Sequence, residues 1–353
     1  MKRFTMKRKP TIKDVAKKAG LSVSTVSLVL NNKGYVSEEK RRKVLNIIKD
    51  LDYHPQRSAR GLASKLSGNI GFILTEDHFT HSEPFYTRIF LGTEIEARHH
   101  NYYVLLTTVS KNVKETTEVP RFLLEHNVDG VIIAGKIGSS WIDYIRERNL
   151  PLVLIDYEKN EKNISTVLID NFNGAKKAVE HLIGGGHSKI GFIGGDIEHP
   201  SIAQRYSGFR QTINERNIPI EENWISISEP ETQSINGYKA AKKIFQNKNN
   251  IPTALFIAND AMALGCMRYL KEIGKRIPDD VAIVGFDNVE IGLLSEPRLT
   301  TINVHREEMG RIAVKRVVEM MKSKSALVTK TITPVELVVR ESCGIKTQHH
   351  LTD

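Results

Sequence analysis

The sequence predicts an α/β protein with two unlike parts: a small all-α helix-turn-helix unit at the amino terminus and a two-lobed core of doubly wound parallel sheets. Three observations lead there. Short amphipathic helical patterns meet at a glycine within the first 53 residues. From Asn69 onward, continuous apolar runs alternate with longer amphipathic stretches, as expected of strands buried on both faces and covered by helices. Positive charge is confined to the front: residues 1–68 hold 17 Lys and Arg against 5 Asp and Glu, and the remainder holds 34 against 36.

The front elements follow in order. Thr11 and Asp14 have capping-box spacing, and Ile12, Val15, Ala16 and Ala19 then share one helical face. Gly20 ends that helix, because it takes a left-handed backbone without a Cβ penalty. Ser22 caps a second helix, with Val26, Val29 and Leu30 inward and Val23, Ser24, Ser27 and Leu28 outward. Small and uncharged, the outward set suits a helix seated in a major groove, offering hydroxyls and methyls to base edges. Ser37 caps a third helix whose Val44, Ile47, Ile48 and Leu51 close a miniature core. Lys13, Lys17, Lys18, Lys33 and the run Lys40-Arg41-Arg42-Lys43 are available to phosphates. A basic head on a neutral body points to a polyanion partner. A helical hairpin for protein contacts is the plainer alternative.

Next comes "HPQRSARGLASK", residues 54–65. It is about two helical turns, short of the roughly 12 residues at which an isolated helix becomes marginal. The segment is expected to become helical only when held, with the basic Arg57 and Arg60 as DNA contacts and Leu62 as an apolar wedge in the minor groove. A flexible linker is compatible with that reading.

In the body, strands are predicted at "IGFIL" (70–74), "YYVLLTT" (102–108), "GVIIAG" (130–135), "LVLID" (152–156), "IGFIGG" (190–195), "TALFIAND" (253–260) and "VAIVGFDN" (281–288). Helical periodicity marks 171–186 and 201–217. So many strands call for two sheets, hence two lobes. Ligands in such sheets bind at the carboxyl ends of strands, where Asp156, Asn259-Asp260 and Asp287-Asn288 stand.

Composition excludes several classes. The two cysteines, Cys266 and Cys343, allow neither a disulfide framework nor a paired-cysteine zinc site. No apolar segment follows the basic start as a signal peptide requires, and none approaches a membrane span; a cytoplasmic protein is expected. There is no GxxxxGK[ST] loop, no GxSxG elbow and no GxGxxG in a dinucleotide context. His99-His100 and His349-His350 lack the i, i+4 spacing of a helical metal site. No catalytic residue, cofactor or metal is expected. Trp224 is read as packing.

Residues 11–65 resemble the DNA-binding headpiece of the lactose-repressor (LacI/GalR) family of bacterial transcription regulators. The matching pieces are "TIKDVAKKAGLSVSTVSLVLN", "GYVSEEKRRKVLNIIKDLDYHP" and "ARGLAS". The resemblance implies base reading at Val23, Ser24 and Leu28. It implies phosphate or base contacts at Thr11, Ser22, Thr25, Ser27 and Asn31, and the minor-groove wedge at Leu62. The chain departs from the pattern at Leu28, where the family usually has arginine. Leucine cannot make the two-pronged guanine contact, worth ~1–3 kcal/mol of discrimination.

The body resembles the family's effector-binding core, a two-lobed type I fold shared with periplasmic sugar-binding proteins. The motifs are "AVEHLIGGGHSKIGFIGG", "PTALFIANDAMALG", "DVAIVGFDN", "PRLTTINVHREEMG" and "ELVVRES". The resemblance puts effector contacts at Phe85, Tyr86, Asp156, Arg205, Asn259 and Asp287. Their chemistry suits a polyhydroxylated guest. Each residue also has a plain structural role open to it: Asn259 and Asp287 as helix caps, Phe85-Tyr86 as core.

The expected organisation is a headpiece over 1–53, a hinge over 54–68, a core over 69–346 and a tail over 347–353. The expected function is a homodimeric repressor on a near-palindromic double-stranded operator, its grip set by a mono- or oligosaccharide between the lobes. About ten residues after "VVRES" are too few for a tetramer-forming coiled coil. The alternatives are the same DNA-binding role governed by a phosphorylated carrier protein, or, more remotely, a DNA-tethered sugar-processing enzyme.

Overall fold

The computed structural model describes residues 10–30, 34–53, 66–76, 85–110, 119–159, 164–247, 250–323 and 326–345. It contains two compact units, Met1–Gly68 and Asn69–Asp353.

In the first unit, helices α1 (Ile12–Ala19), α2 (Val23–Leu30) and α3 (Glu38–Asp50) enclose Val15, Ala16, Ala19, Val26, Val29, Val44, Ile47 and Tyr53. The Asp14 carboxylate accepts from the Thr11 N–H and hydroxyl, each at 2.7 Å, which fixes the start of α1. Gly20, at φ 65°, turns the chain while Leu21 N–H returns to Ala16 O over 3.1 Å. Ser22 Oγ accepts from Thr25 N–H at 3.1 Å and caps α2. Ser37 occupies the cap position of α3, but its side chain makes no capping bond. Leu30, Ile48 and Leu51 are only partly buried against this core.

The second unit has two six-stranded sheets. In the first lobe are β1 (Asn69–Thr75), β2 (Tyr103–Val109), β3 (Gly130–Ala134), β4 (Leu152–Ile155), β5 (Ser165–Ile169) and β11 (Lys330–Thr333), in the order β11-β5-β4-β3-β1-β2, all parallel. In the second are β6 (Ile190–Ile193), β7 (Ile225–Ser226), β8 (Ala254–Ile257), β9 (Ala282–Asp287), β10 (Thr300–Val304) and β12 (Val335–Val338), in the order β12-β10-β9-β8-β6-β7. Among the described residues only the β10–β12 pair is antiparallel. The two orders correspond position by position, so β4 and β9 are equivalents. All seven runs read as strands are strands, and β1, β3, β4, β6, β8 and β9 are almost wholly buried. β2 is the exception, half open along one edge of its sheet.

The first lobe carries α4 (Phe85–His99), α5 (Arg121–Leu124), α6 (Ser139–Glu147) and α11 (Arg306–Lys322). The second carries α7 (Asn171–Gly184), α8 (Pro200–Glu215), α9 (Ser234–Ile244) and α10 (Asp260–Glu272). The chain therefore crosses between lobes three times, at Asp170, His305 and Pro334. Two crossings are tied together, because Asp170 N–H donates to Thr333 O over 3.1 Å.

Glycines set the closest helix contacts. A Cβ on Gly92 of α4 would lie 1.9 Å from Glu307 O, and one on Gly310 of α11 would lie 2.1 Å from Ile89 O. The pair α9–α10 repeats the device at Gly237 and Gly265. Trp224 packs in the second lobe with its Nε1–H on Asn250 O at 3.1 Å.

Candidate functional site

Helix α2 carries the outward residues on one side. At 100° per residue, Val23, Ser27, Ser24 and Leu28 fall in that order across about 140° of its surface. Val23 and Leu28 are 41% and 39% exposed, and Val26 and Val29 face the core. Ser22, Ser24 and Thr25 form a hydroxyl cluster, with Ser22 Oγ 2.7 Å from Ser24 Oγ and 2.8 Å from Thr25 Oγ1. Thr11 stands half-buried at the start of α1. Lys13, Lys17, Lys18, Lys40, Arg42 and Lys43 are exposed. Asn31, Arg57, Arg60 and Leu62, with most of the expected hinge, lie outside the described residues.

In the second unit, Phe85, Tyr86, Asp156, Arg205, Asn259 and Asp287 line one cavity of about 430 Å³. Asp156 follows β4 and Asp287 ends β9, so the two carboxylates hold equivalent positions at the carboxyl ends of the two sheets. Both have left-handed backbone, φ 56° and 107°. Single residues held there cost on the order of 1–3 kcal/mol and concentrate at functional sites.

Asp156 accepts from Tyr86 Oη at 3.1 Å and from Ser201 Oγ at 2.9 Å. Tyr86 belongs to its own lobe and Ser201 to the other, so this carboxylate bridges the cleft. Burial and the Asp156 charge push the Tyr86 phenol well above its usual pKa, keeping it a donor.

Arg205 is 4% exposed and held from several directions. Its Nε donates to Asn171 Oδ1 at 2.8 Å, Nη1 donates to Ala258 O, and the guanidinium lies 3.7 Å over the Phe286 ring. Nη2 stands 3.3 Å from Asp287 Oδ1. That distance supplies charge pairing, but the alignment falls short of a hydrogen bond, and Oδ1 is buried without a donor. Burial raises the Asp287 pKa to about 6, against the opposing pull of Arg205 and Arg306.

Asp260 lies behind, fully buried, accepting from Thr301 Oγ1 at 2.6 Å and Val289 N–H at 2.9 Å. It thereby anchors the loop that follows Asp287. Burial and the Asp287 charge lift its pKa to about 7.

Asn259 does act as a cap: its Oδ1 accepts from Met262 N–H at 2.9 Å, and its Nδ2 donates to Thr232 O at 2.9 Å. Phe85 and Tyr86 are also core residues, edge-to-face at 5.1 Å, with part of each on the cavity. The structural and lining roles coincide in these residues.

Among the described residues no His, Cys, Asp and Glu group has metal-binding geometry, and no helix is long and apolar enough to cross a membrane.

Comparison with known proteins matches residues 11–56 to bacterial regulatory proteins of the lacI family and residues 179–343 to a periplasmic binding protein-like domain. The HTH-type transcriptional repressor PurR of Pasteurella multocida is 32% identical over 336 residues, 94% of this chain and 98% of that protein. The chain belongs to the lacI family. The HTH-type transcriptional regulator DegA of Bacillus subtilis is likewise 32% identical over 338 residues, 95% of this chain and 98% of DegA. Among solved structures, the lac repressor dimer bound to operator and the anti-inducer ONPF aligns at TM-score 0.78 and 27% identity, over 95% of this chain and 99% of that one. A complex of the regulator CelR with cellobiose aligns at 0.70 and 27%, over 94% and 99%. As a lacI-family member the chain is a DNA-binding transcriptional repressor, not an enzyme.

The cavity of this lacI-family chain also draws on residues that sequence reasoning did not select: Thr75, Lys136, Asp196, His199, Ser201 and Gln233 among them. Thr75, Lys136 and Asp196 stand at or just beyond the carboxyl ends of β1, β3 and β6, so the rule that selected Asp156 applies to them equally. His199 and Ser201 open α8, and no strand-end rule reaches a helix start in the opposite lobe. Burial holds the His199 imidazole below its usual pKa, hence neutral.

Proposed function

We propose that this repressor is governed by a small hydroxylated molecule, a mono- or oligosaccharide, bound in the interlobe cavity by Phe85, Tyr86, Asp156, Arg205, Asn259 and Asp287. The observation that carries the reading is the lining itself: two carboxylates at equivalent strand ends, Asp156 and Asp287, and the fixed Arg205 converge on one cavity beside Phe85 and Tyr86. Carboxylates and a guanidinium so placed accept from and donate to ligand hydroxyls. Phe85 offers a ring to an apolar sugar face. The cellobiose held by the CelR relative is consistent with this class of guest.

The protein acts in the cytoplasm as a homodimer whose two headpieces occupy half-sites about one helical turn apart on a near-palindromic operator. Thr11, Ser22, Val23, Ser24, Thr25, Ser27, Leu28 and Asn31 meet the major groove and its flanking phosphates. The segment 54–68 carries Arg57, Arg60 and Leu62 to the minor groove. Because Asp156 bonds to both lobes, a guest in the cavity biases their arrangement, with leverage of about 1–3 kcal/mol on operator affinity.

Thermal-shift screening of the full chain against neutral mono- and disaccharides, nucleobases and sugar phosphates tests this. A true ligand at 100 times its Kd adds about 2.7 kcal/mol of stability, and Asp287→Ala abolishes the shift. A shift with nucleobases alone, or one indifferent to residue 287, overturns the proposal.

A further inference from the structure

The DNA-reading face of α2 carries no charged side chain, and its two edges are aliphatic. Val23 stands at one edge and Leu28 at the other, with Ser27 and Ser24 between them. Ser24, the serine nearest Leu28, is hydrogen-bonded to the Ser22 hydroxyl at 2.7 Å. Leu28 itself is 39% exposed and offers only aliphatic surface at that edge of the helix.

Gly34, in left-handed conformation at φ 68°, places no side chain beside that tip, where a Cβ would come to 3.4 Å from Leu28 Cδ2. An aliphatic tip at a base edge finds its apolar partner in the major groove in the 5-methyl group of thymine; a guanine edge offers only acceptors there.

We propose that Leu28 is a specificity-determining residue that reads the 5-methyl group of one thymine in each operator half-site.

The test uses the full chain and the duplexes it enriches from a random pool. Each thymine of the enriched half-site is replaced singly by deoxyuridine, which removes only the methyl. At one position per half-site the wild type is expected to weaken about fourfold, and about fifteenfold when both half-sites are changed, as removal of one buried methyl implies. Leu28→Ala loses this sensitivity at that position and keeps it elsewhere. Leu28→Met, which preserves an aliphatic tip, retains it. 5-Methylcytosine at the position recovers binding relative to cytosine.

Leu28 lies outside the headpiece core, so unchanged binding to non-specific duplex identifies a folded variant. Guanine enriched at the position that depends on residue 28 would overturn the proposal. So would a deoxyuridine effect that persists in Leu28→Ala, or a preferred site in which no thymine methyl matters.

Discussion

Ser201 and Asp156 stand on different lobes and share one hydrogen bond, Ser201 Oγ donating to Asp156 Oδ1 over 2.9 Å. The same carboxylate takes its other bond from Tyr86, within its own lobe. One side chain thus reports on both the local cavity wall and the closure of the cleft. Ser201→Ala is expected to cost about 1.5–3 kcal/mol, the range for hydrogen bonds to charged groups, and to widen the spread of interlobe distances seen by solution scattering. Tyr86→Phe should cost a similar amount without that widening. Equal scattering from the two variants would mean the bridge does not constrain the lobes.

The buried carboxyls set a pH dependence of definite sign. Asp287 and Asp260 have folded pKa values raised to about 6 and about 7, above the ordinary carboxylate range. The folded state therefore binds more protons than the unfolded state between about pH 4 and 7, and stability falls as pH rises through that window. At about 1.4 kcal/mol per pKa unit the loss amounts to several kcal/mol, and Asp287→Asn should flatten its lower half in melts taken from pH 4.5 to 7.5. Ligand affinity moves the other way. A guest that donates to Asp287 binds the carboxylate, so binding should strengthen as pH rises through about 6, and titration calorimetry at pH 5 and 7.5 would reveal a reversal.

Operator binding should depend steeply on salt. With 17 Lys and Arg in the first 68 residues, a dimer neutralising roughly six to ten phosphates gives a slope of log K against log[salt] of about −5 to −9. Fluorescence anisotropy across 50–200 mM salt measures it. A slope near zero would remove the polyanion argument.

The packing of α4 on α11 rests on the absence of a side chain. Gly310→Ala puts a methyl about 2.1 Å from Ile89 O, and neither backbone can yield without separating the helices. A loss of about 3 kcal/mol or more is expected, at or beyond the upper end of ordinary overpacking, read as a fall in the midpoint of urea unfolding. Gly184→Ala, where a Cβ meets nothing within 4 Å, is the control and should be neutral or mildly stabilising.

Much of this architecture was legible in the residues. The headpiece announced itself through Thr11, Asp14, Gly20 and Ser22, because caps and turns are local chemistry. Strands β1, β3, β4, β6, β8 and β9 were visible as unbroken apolar runs, since burial on both faces leaves no alternation to interpret. β5, β7, β10, β11 and β12 were not: β7, β11 and β12 are short and lie at sheet edges, and in "STVLI" and "TTINV" the polar residues interrupt the apolar run although both strands are buried. The six cavity residues came from family resemblance together with the strand-end rule. Ser201 and His199 escaped both, since what brings them to Asp156 is the approach of one lobe to the other. Asp260 looked like another strand-end ligand, and its actual work is to hold the Val289 loop from behind.

The three crossings between lobes have a consequence for how the chain matures on the ribosome. The first lobe receives five of its strands by residue 169, but α11 and β11 arrive only after five of the six strands of the second lobe have been made. At 5–20 residues per second, the roughly 160 residues between β5 and β11 take about 8–32 s to synthesise. Throughout that interval the edge of β5 and the face of α4 that α11 will cover are open to solvent. The nascent chain is therefore at its most vulnerable to chaperone capture and aggregation midway through translation, and residues 330–338 supply the last strand of each sheet in turn.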